Sequence, residues 1–155
     1  MNDLGMGDPG LKRICKNPQL RQLIGPVPVG ASEVFSNNSG RFCKFDNSRR
    51  LEVAGSGDGN LFGWVDDVVT ASSTEGATKV YVDVNPMSLF WIPADDTVTA
   101  AMRGLTCDLV VASNIQRADV GESNEDVIWI QDVDIANQLV LVKMASATIY
   151  QAGIA

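Results

Sequence analysis

Two pairs of adjacent carboxylates, Asp66-Asp67 and Asp95-Asp96, are the residues that come nearest to acid-base chemistry in this sequence. Glycosidases hold two carboxyl groups on opposite sides of a cleft, with burial raising the pKa of one. Side chains of adjacent residues point apart, and the Asp-Thr-Gly signature of aspartic proteases is absent. Asp95-Asp96 is therefore predicted to be a polar corner after the run SLFWIP.

Nucleophilic catalysis has little support in the residue types. The chain has no histidine, which removes the usual base of serine and cysteine nucleophiles and the commonest zinc ligand. Cys107 lies beside Asp108, whose charge raises the pKa of a thiol, so Cys107 and Cys43 are predicted to be packed strand residues. The third cysteine, Cys15, completes an odd, widely spaced set without a CxxC pattern, which favours a reducing compartment and no disulfide framework. We expect no enzyme activity and no catalytic residue.

Two loops are rich in oxygen ligands of the kind calcium prefers. GSGDGNL contains Asp58 and Asn60, and DVGESNED contains the acidic and amide residues Asp119, Glu122, Asn124, Glu125 and Asp126. Neither loop has the D-x-[DN]-x-[DN]-G spacing with a distal Glu. The sequence therefore predicts no metal and no cofactor, with a cation in the loop 119–126 left open.

From Phe35 onward, apolar and polar residues alternate with the two-residue period of β-strands. RFCKFD, NSRRLEV, LFGWVDDVV, KVYVDV, LTCDLVV, VIWIQDVDI and QLVLVKM are short strand-like runs separated by Gly, Asn and Asp turns, with SNIQRADVGESNED as a polar stretch between strands. Gly63 inside its run predicts a bulge or a tight bend. Core positions are favoured for Trp64, Trp91 and Trp129 over an exposed sugar or protein contact. The pattern predicts an all-β fold, a small antiparallel β-barrel or β-sandwich, with β-tulip and SH3-like barrels included.

The first part of the chain differs in charge and backbone chemistry from the rest. Residues 1–50 hold eight of the twelve Lys and Arg residues but only four of the nineteen acidic residues, so a basic front precedes an acidic body. Pro26 and Pro28 in GPVPVG favour extended backbone outside a central strand. We predict an extended N-terminal arm over residues 1–33 and a β-barrel domain over 34–155, with the alternative that the arm folds back on its own domain.

Charge and hydrophobicity also limit the kinds of partner and the cellular location that we expect. The acidic body lacks the basic, aromatic stripe of nucleic-acid binding, so we expect no nucleic-acid partner. No run reaches the roughly 20 apolar residues of a membrane helix, and the N-terminus has no apolar signal-peptide region, so no membrane partner is expected. The chain reads as a soluble protein made in the cytoplasm.

The layout of these segments resembles that of known virion proteins. GPVPVGASEVFSNNSGRFCKFDNSRRLEV, followed by LFWIPADD, GLTCDLVV, VIWIQDVD and LVLVKM, is similar in layout over residues 25–145 to the small capsid decoration or cement proteins of tailed bacteriophages. The resemblance implies a structural protein on the outer surface of an icosahedral capsid, made in the host cytoplasm. It implies a β-body that forms a homotrimer and an arm that clamps neighbouring subunits of the major capsid protein.

The arm's own chemistry assigns the residues that would contact the capsid. The charged contacts are expected at Arg13, Lys16 and Arg21, and the apolar contacts at Leu20, Leu23, Ile24 and Val27. Deletion of residues 1–30 is expected to leave the β-body folded and to abolish docking.

Two other functions remain open at the level of sequence. One is a carbohydrate- or receptor-binding β-domain on a virion or cell surface, which would use exposed tryptophans and an acidic calcium loop. The other is a small trimeric β-enzyme of the dUTPase kind, whose chains have this length but whose motifs have no match here.

Overall fold

The computed structural model describes residues 21–36, 41–65, 67–121 and 125–145. Within these ranges the chain forms β-strands, one 3-10 turn at Ala100–Met102 and no α-helix. The strands are β1 Leu23–Pro28, β2 Val34–Phe35, β3 Phe42–Phe45, β4 Leu51–Val53, β5 Gly63–Val65, β6 Val69–Thr70, β7 Lys79–Asp83, β8 Phe90–Pro93, β9 Thr106–Ala112, β10 Ile115–Asp119, β11 Ile128–Asp134 and β12 Leu139–Met144.

Two five-stranded antiparallel sheets make up the body. The first has the order β1-β7-β5-β3-β4 and the second β10-β9-β11-β12-β8, while β2 and β6 form a separate pair. The two edges of each sheet approach at one isolated bridge, Val29 with Leu51 in the first and Ala94 with Ala118 in the second. The predicted all-β antiparallel class is confirmed; the described residues form a sandwich-like body, not a closed barrel.

The central strands of the first sheet separate two hydrophobic clusters because successive side chains point to opposite faces. Phe42 and Trp64 enter the larger cluster, which they share with the second sheet, whereas Cys43 and Val65 enter the smaller one. The Trp64 ring stacks on the ring of Phe90 at a centroid distance of 4.1 Å. β3 and β5 thus carry apolar side chains on both faces of the first sheet.

The buried side chain of Gln116 links the two sheets inside this body. Gln116 on β10 is fully buried, and its Nε2 donates to the carbonyl oxygens of Phe42 and Ala54, both at 2.9 Å. Its Oε1 accepts from the backbone N–H of Phe42 at 3.0 Å. The amide therefore satisfies backbone groups of the first sheet from a strand of the second.

Gly63 occupies a position where two backbones come close together. A Cβ added there would lie 2.5 Å from the carbonyl oxygen of Asp83 and 2.5 Å from Cγ1 of Val82. The glycine predicted to mark a bend thus marks a close approach of β5 to β7.

Candidate docking surface on the first strand

The first strand lies at an edge of its sheet. In the described part of the chain, β7 is its one strand neighbour, with Leu23 opposite Asp83, Ile24 opposite Val82 and a register irregularity before Val27. Pro26 and Pro28 lack a backbone N–H. An edge strand tolerates them because its outer side has no neighbouring strand to which that N–H would donate. The outer edge of β1 therefore has no strand neighbour among the described residues as far as Pro28, and beyond it Val29 bridges to Leu51.

Apolar side chains are exposed on both faces of β1. Leu23 and Ile24 are 43% and 41% exposed, and they point to opposite faces because they are adjacent in the strand. Tyr81 on β7 is 52% exposed, and its ring would lie 3.2 Å from a Cβ at Gly25. We call Leu23, Ile24 and Tyr81 the docking edge, a surface that presents apolar groups at the strand that follows the basic segment.

The structure distributes the predicted capsid-contact residues unevenly. Leu23 and Ile24 lie together on the docking edge, two and three residues after Arg21. Val27 packs partly buried against the smaller hydrophobic cluster, so its side chain supports the sheet. Arg13, Lys16 and Leu20 lie outside the described residues. The sequence reasoning missed Tyr81, although its place between Val80 and Val82 in KVYVDV already put it on the opposite face from them.

The segment predicted to be an arm packs on its own chain where it is described. Leu23–Pro28 is a strand of the first sheet, and Val29 is fully buried in the smaller cluster. Deleting residues 1–30 would thus remove a strand and a core side chain. A deletion of residues 1–20 leaves both in place and is the appropriate test of the basic segment.

The Asp95-Asp96 pair lies in an open cleft of about 520 Å³, which Arg117 also lines. Oδ1 of Asp95 accepts from the N–H of Val120 at 3.0 Å, and Oδ1 of Asp96 accepts from the N–H of Thr97 at 2.7 Å. Asp96 thus bonds within its own corner, whereas Asp95 ties the corner to the segment after β10. In the other pair, Oδ1 of Asp67 accepts from the N–H of Val68, and Asp66 lies outside the described residues.

The two described thiols are packed as predicted. Cys43 and Cys107 are buried, and burial is the largest cause that raises the pKa of each. The pKa of Cys107 rises to about 12, with the charge of Asp108 as the next cause. Thiolates are the reactive form, so neither side chain is suited to nucleophilic attack at neutral pH.

A thiol titration checks this arrangement. In the folded protein at pH 8, we expect a disulfide reagent to modify at most one of the three thiols, because Cys43 and Cys107 are both inaccessible and protonated. In denaturant all three should react. Rapid modification of two or more thiols in the folded state would contradict the packing.

The fold brings the two oxygen-rich loops together. A Cβ at Gly59 would lie 2.6 Å from Oε2 of Glu125, which places the loop around Asp58 against the loop 119–126. The oxygens of Asp58 are already used, one by the Lys44 ammonium at 2.9 Å and one by the N–H of Gly55 at 2.6 Å. No group of three or more acidic or cysteine residues suited to a metal ion exists among the described residues, which omit Glu122 and Asn124.

The tryptophans do not offer an exposed aromatic platform. Trp64 and Trp91 are 2% and 3% exposed, as favoured from the strand pattern. Trp129 is half-buried, with the Lys143 ammonium 4.7 Å above the centre of its ring. A sugar site built on exposed tryptophans therefore has no support here.

Comparison with known proteins adds no family to these observations. No protein-family model matches the chain, and no curated protein matches it. In the described part of the chain, no helix is long and apolar enough to cross a membrane. The class defined by fold and site is an all-β sandwich-like domain with an exposed apolar edge strand.

Proposed function

We propose that this protein is a structural virion protein that binds the outer surface of an icosahedral phage capsid and stabilises it by clamping neighbouring major capsid subunits. The observation that carries the proposal is the docking edge. Leu23 and Ile24 are exposed on opposite faces of an edge strand that continues the basic N-terminal segment. Such a strand can enter a cleft between two partner surfaces and bury apolar area on both of its faces.

The charge distribution supports the same proposal. Eight of the twelve basic residues lie within residues 1–50, four of them before β1 and four in or next to β3 and β4, while the rest of the chain is strongly acidic. A basic segment next to an apolar edge favours an acidic partner surface, and the acidic body keeps unbound copies apart.

The mechanism is a linkage between binding and assembly. A ligand that binds the assembled shell and not the free subunits stabilises the assembled state. Each copy needs to bury only a modest area if several copies act together, because a homotrimer binds its second and third sites at high effective concentration. The clamp therefore needs no catalytic residue, only a fixed edge and a rigid body behind it.

Co-sedimentation with expanded, undecorated capsids from the encoding genome tests the proposal. The double variant Leu23→Asp, Ile24→Asp is expected to bind at least about tenfold more weakly, because two buried apolar contacts become charged. Leu105→Asp, Ile135→Asp is the matched control, since these residues are 43% and 52% exposed and lie away from β1. The control should bind like the native chain.

Deleting residues 1–20 tests the basic segment separately from the docking edge. Weaker and less salt-sensitive binding by this deletion than by the full chain would assign the charged contacts to that segment, because exposed ion pairs are screened by salt. Failure of the full chain to sediment with the capsids would refute the proposed function. Equal binding by both double variants would refute the role of the docking edge.

A further inference from the structure

A second groove lies on the first sheet, at the ends of β3 and β5 and away from β1 in the strand order. It has a volume of about 430 Å³ and is lined by Lys44, Phe45, Asp46, Asn47, Arg49, Asp58, Gly59, Asn60 and Phe62. Neither the strand patterns nor the charge distribution of the sequence pointed to it. We call it the phenylalanine groove.

Its aromatic part is a fixed pair of rings. Phe45 and Phe62 have ring centroids 4.4 Å apart at 54°, and both pack against the smaller hydrophobic cluster while lining the groove. The N–H of Phe62 donates to the carbonyl oxygen of Cys43 at 2.8 Å, which ties the loop to β3. The rings therefore present a preformed apolar surface that the core supports from behind.

The polar part is preorganised by an internal ion pair. Nζ of Lys44 lies 2.9 Å from Asp58 and 3.2 Å from Glu52, and the hydrogen bond to Asp58 is the largest cause that raises the pKa of Lys44. An ammonium has three donors, so these carboxylates leave one of them for a ligand. The other oxygen of Asp58 accepts from the N–H of Gly55, which fixes the carboxylate that holds Lys44 in place.

The groove has no excess of positive charge. Its lining has two basic and two acidic side chains, and the carboxylates of Glu52 and Glu125 lie beside it. The amides of Asn47 and Asn60 are exposed at the rim, where each can donate and accept hydrogen bonds. These charges disfavour an anion, and the groove favours a neutral ligand with one apolar face and many hydroxyl groups.

We propose that the phenylalanine groove binds a neutral saccharide. The C–H face of a pyranose ring packs on Phe45 and Phe62, and its hydroxyl groups pair with the Lys44 ammonium and the rim amides. Sites of this kind combine a few aromatic side chains with a small number of convergent polar groups. This binding goes beyond capsid docking and does not depend on it, since none of its residues belongs to the docking edge.

The test is a titration of the ¹⁵N-labelled full chain with maltotriose and N,N′,N″-triacetylchitotriose, followed by amide chemical shifts. We expect at least one of these neutral trisaccharides to shift the resonances of Gly59, Asn60 and Phe62, with a Kd of about 1 mM. Phe62→Leu should weaken binding about tenfold, because it removes one ring and keeps an apolar side chain on the core. Tyr81→Leu is the matched control, since it removes an exposed ring from the docking edge and should leave saccharide binding unchanged.

Other outcomes separate this site from the docking function. Asn60→Ala, at an exposed position, should also weaken binding and replaces Phe62→Leu if that variant unfolds. No shift in the groove with either trisaccharide, or unchanged binding by both groove variants, would overturn the proposal. Equal binding of a sulfated heparin disaccharide would show that the groove does not select neutral saccharides.

Phe62→Leu should sediment with capsids like the native chain, so either function can fail without the other.

Discussion

Gln116→Leu is expected to lower the free energy of unfolding by about 3 kcal/mol, a large fraction of the stability of a domain of this size. Leucine has a similar volume but cannot pair with the backbone of the first sheet. The N–H of Phe42 and the carbonyl oxygen of Ala54 would lose the partner they have now. The carbonyl oxygen of Phe42 keeps a bond from the N–H of Ala54, so two buried groups become unsatisfied. Each such group costs about 1–3 kcal/mol.

Urea unfolding followed by tryptophan fluorescence measures this effect. Gln131→Leu is the matched control, because Gln131 is an exposed glutamine on β11 and its replacement should change stability by less than about 0.5 kcal/mol. Gln116→Glu should also be destabilised, since a carboxylate accepts from the N–H of Phe42 but cannot donate to two carbonyl oxygens. Native stability in Gln116→Leu would show that the two sheets are held together without this amide.

Gln116 lies on a strand that the sequence pattern did not predict. Ile115–Asp119 is strand β10, yet it belongs to a stretch interpreted as polar and acidic between strands. The alternation is present, with Gln116 and Ala118 both fully buried, but a buried glutamine does not count as apolar in a periodicity argument. The sequence does contain a turn-forming dipeptide there, Ser113-Asn114, and both residues have positive φ in the turn that joins β9 to β10. Two such residues are typical of a tight hairpin turn.

Other parts of the fold were accessible from residue types. KVYVDV predicted the strand at Lys79–Asp83, with Val80 and Val82 on the buried face. Cys43 and Cys107 were predicted to be packed, and both are buried. These predictions rest on local alternation and burial, which a single strand carries in its own sequence.

The candidate sites were harder to predict because they depend on long-range pairing. The exposure of Leu23 and Ile24 follows from the position of β1 at an edge, which no local pattern specifies. Phe45 and Phe62 meet only because β3 pairs with β5 and the intervening loop returns along them. The two oxygen-rich loops are likewise neighbours through Gly59 and Glu125, far apart in the sequence. Contacts of this kind follow from topology, which local periodicity does not determine.

Gly63→Ala is expected to destabilise the fold by about 3 kcal/mol, at the upper end of the usual cost of overpacking. The added methyl group would lie 2.5 Å from the carbonyl oxygen of Asp83, so β5 and β7 would have to separate. A backbone atom cannot turn away as a flexible side chain can. Asp83 is also fully buried, and its Oδ1 accepts from the N–H groups of Gln22 and Asn85, so movement of β7 would disturb these bonds as well.

Thermal and urea unfolding of Gly63→Ala beside Gly121→Ala checks this prediction. Gly121 has no heavy atom within 4 Å of an added Cβ, so its replacement should change stability by less than about 0.5 kcal/mol. Because β7 carries Tyr81 and pairs with β1, a Gly63→Ala protein that remains folded should also bind capsids more weakly than Gly121→Ala. Native stability for Gly63→Ala would mean that β5 and β7 have more space between them than this structure shows, and that the docking edge does not depend on their close packing.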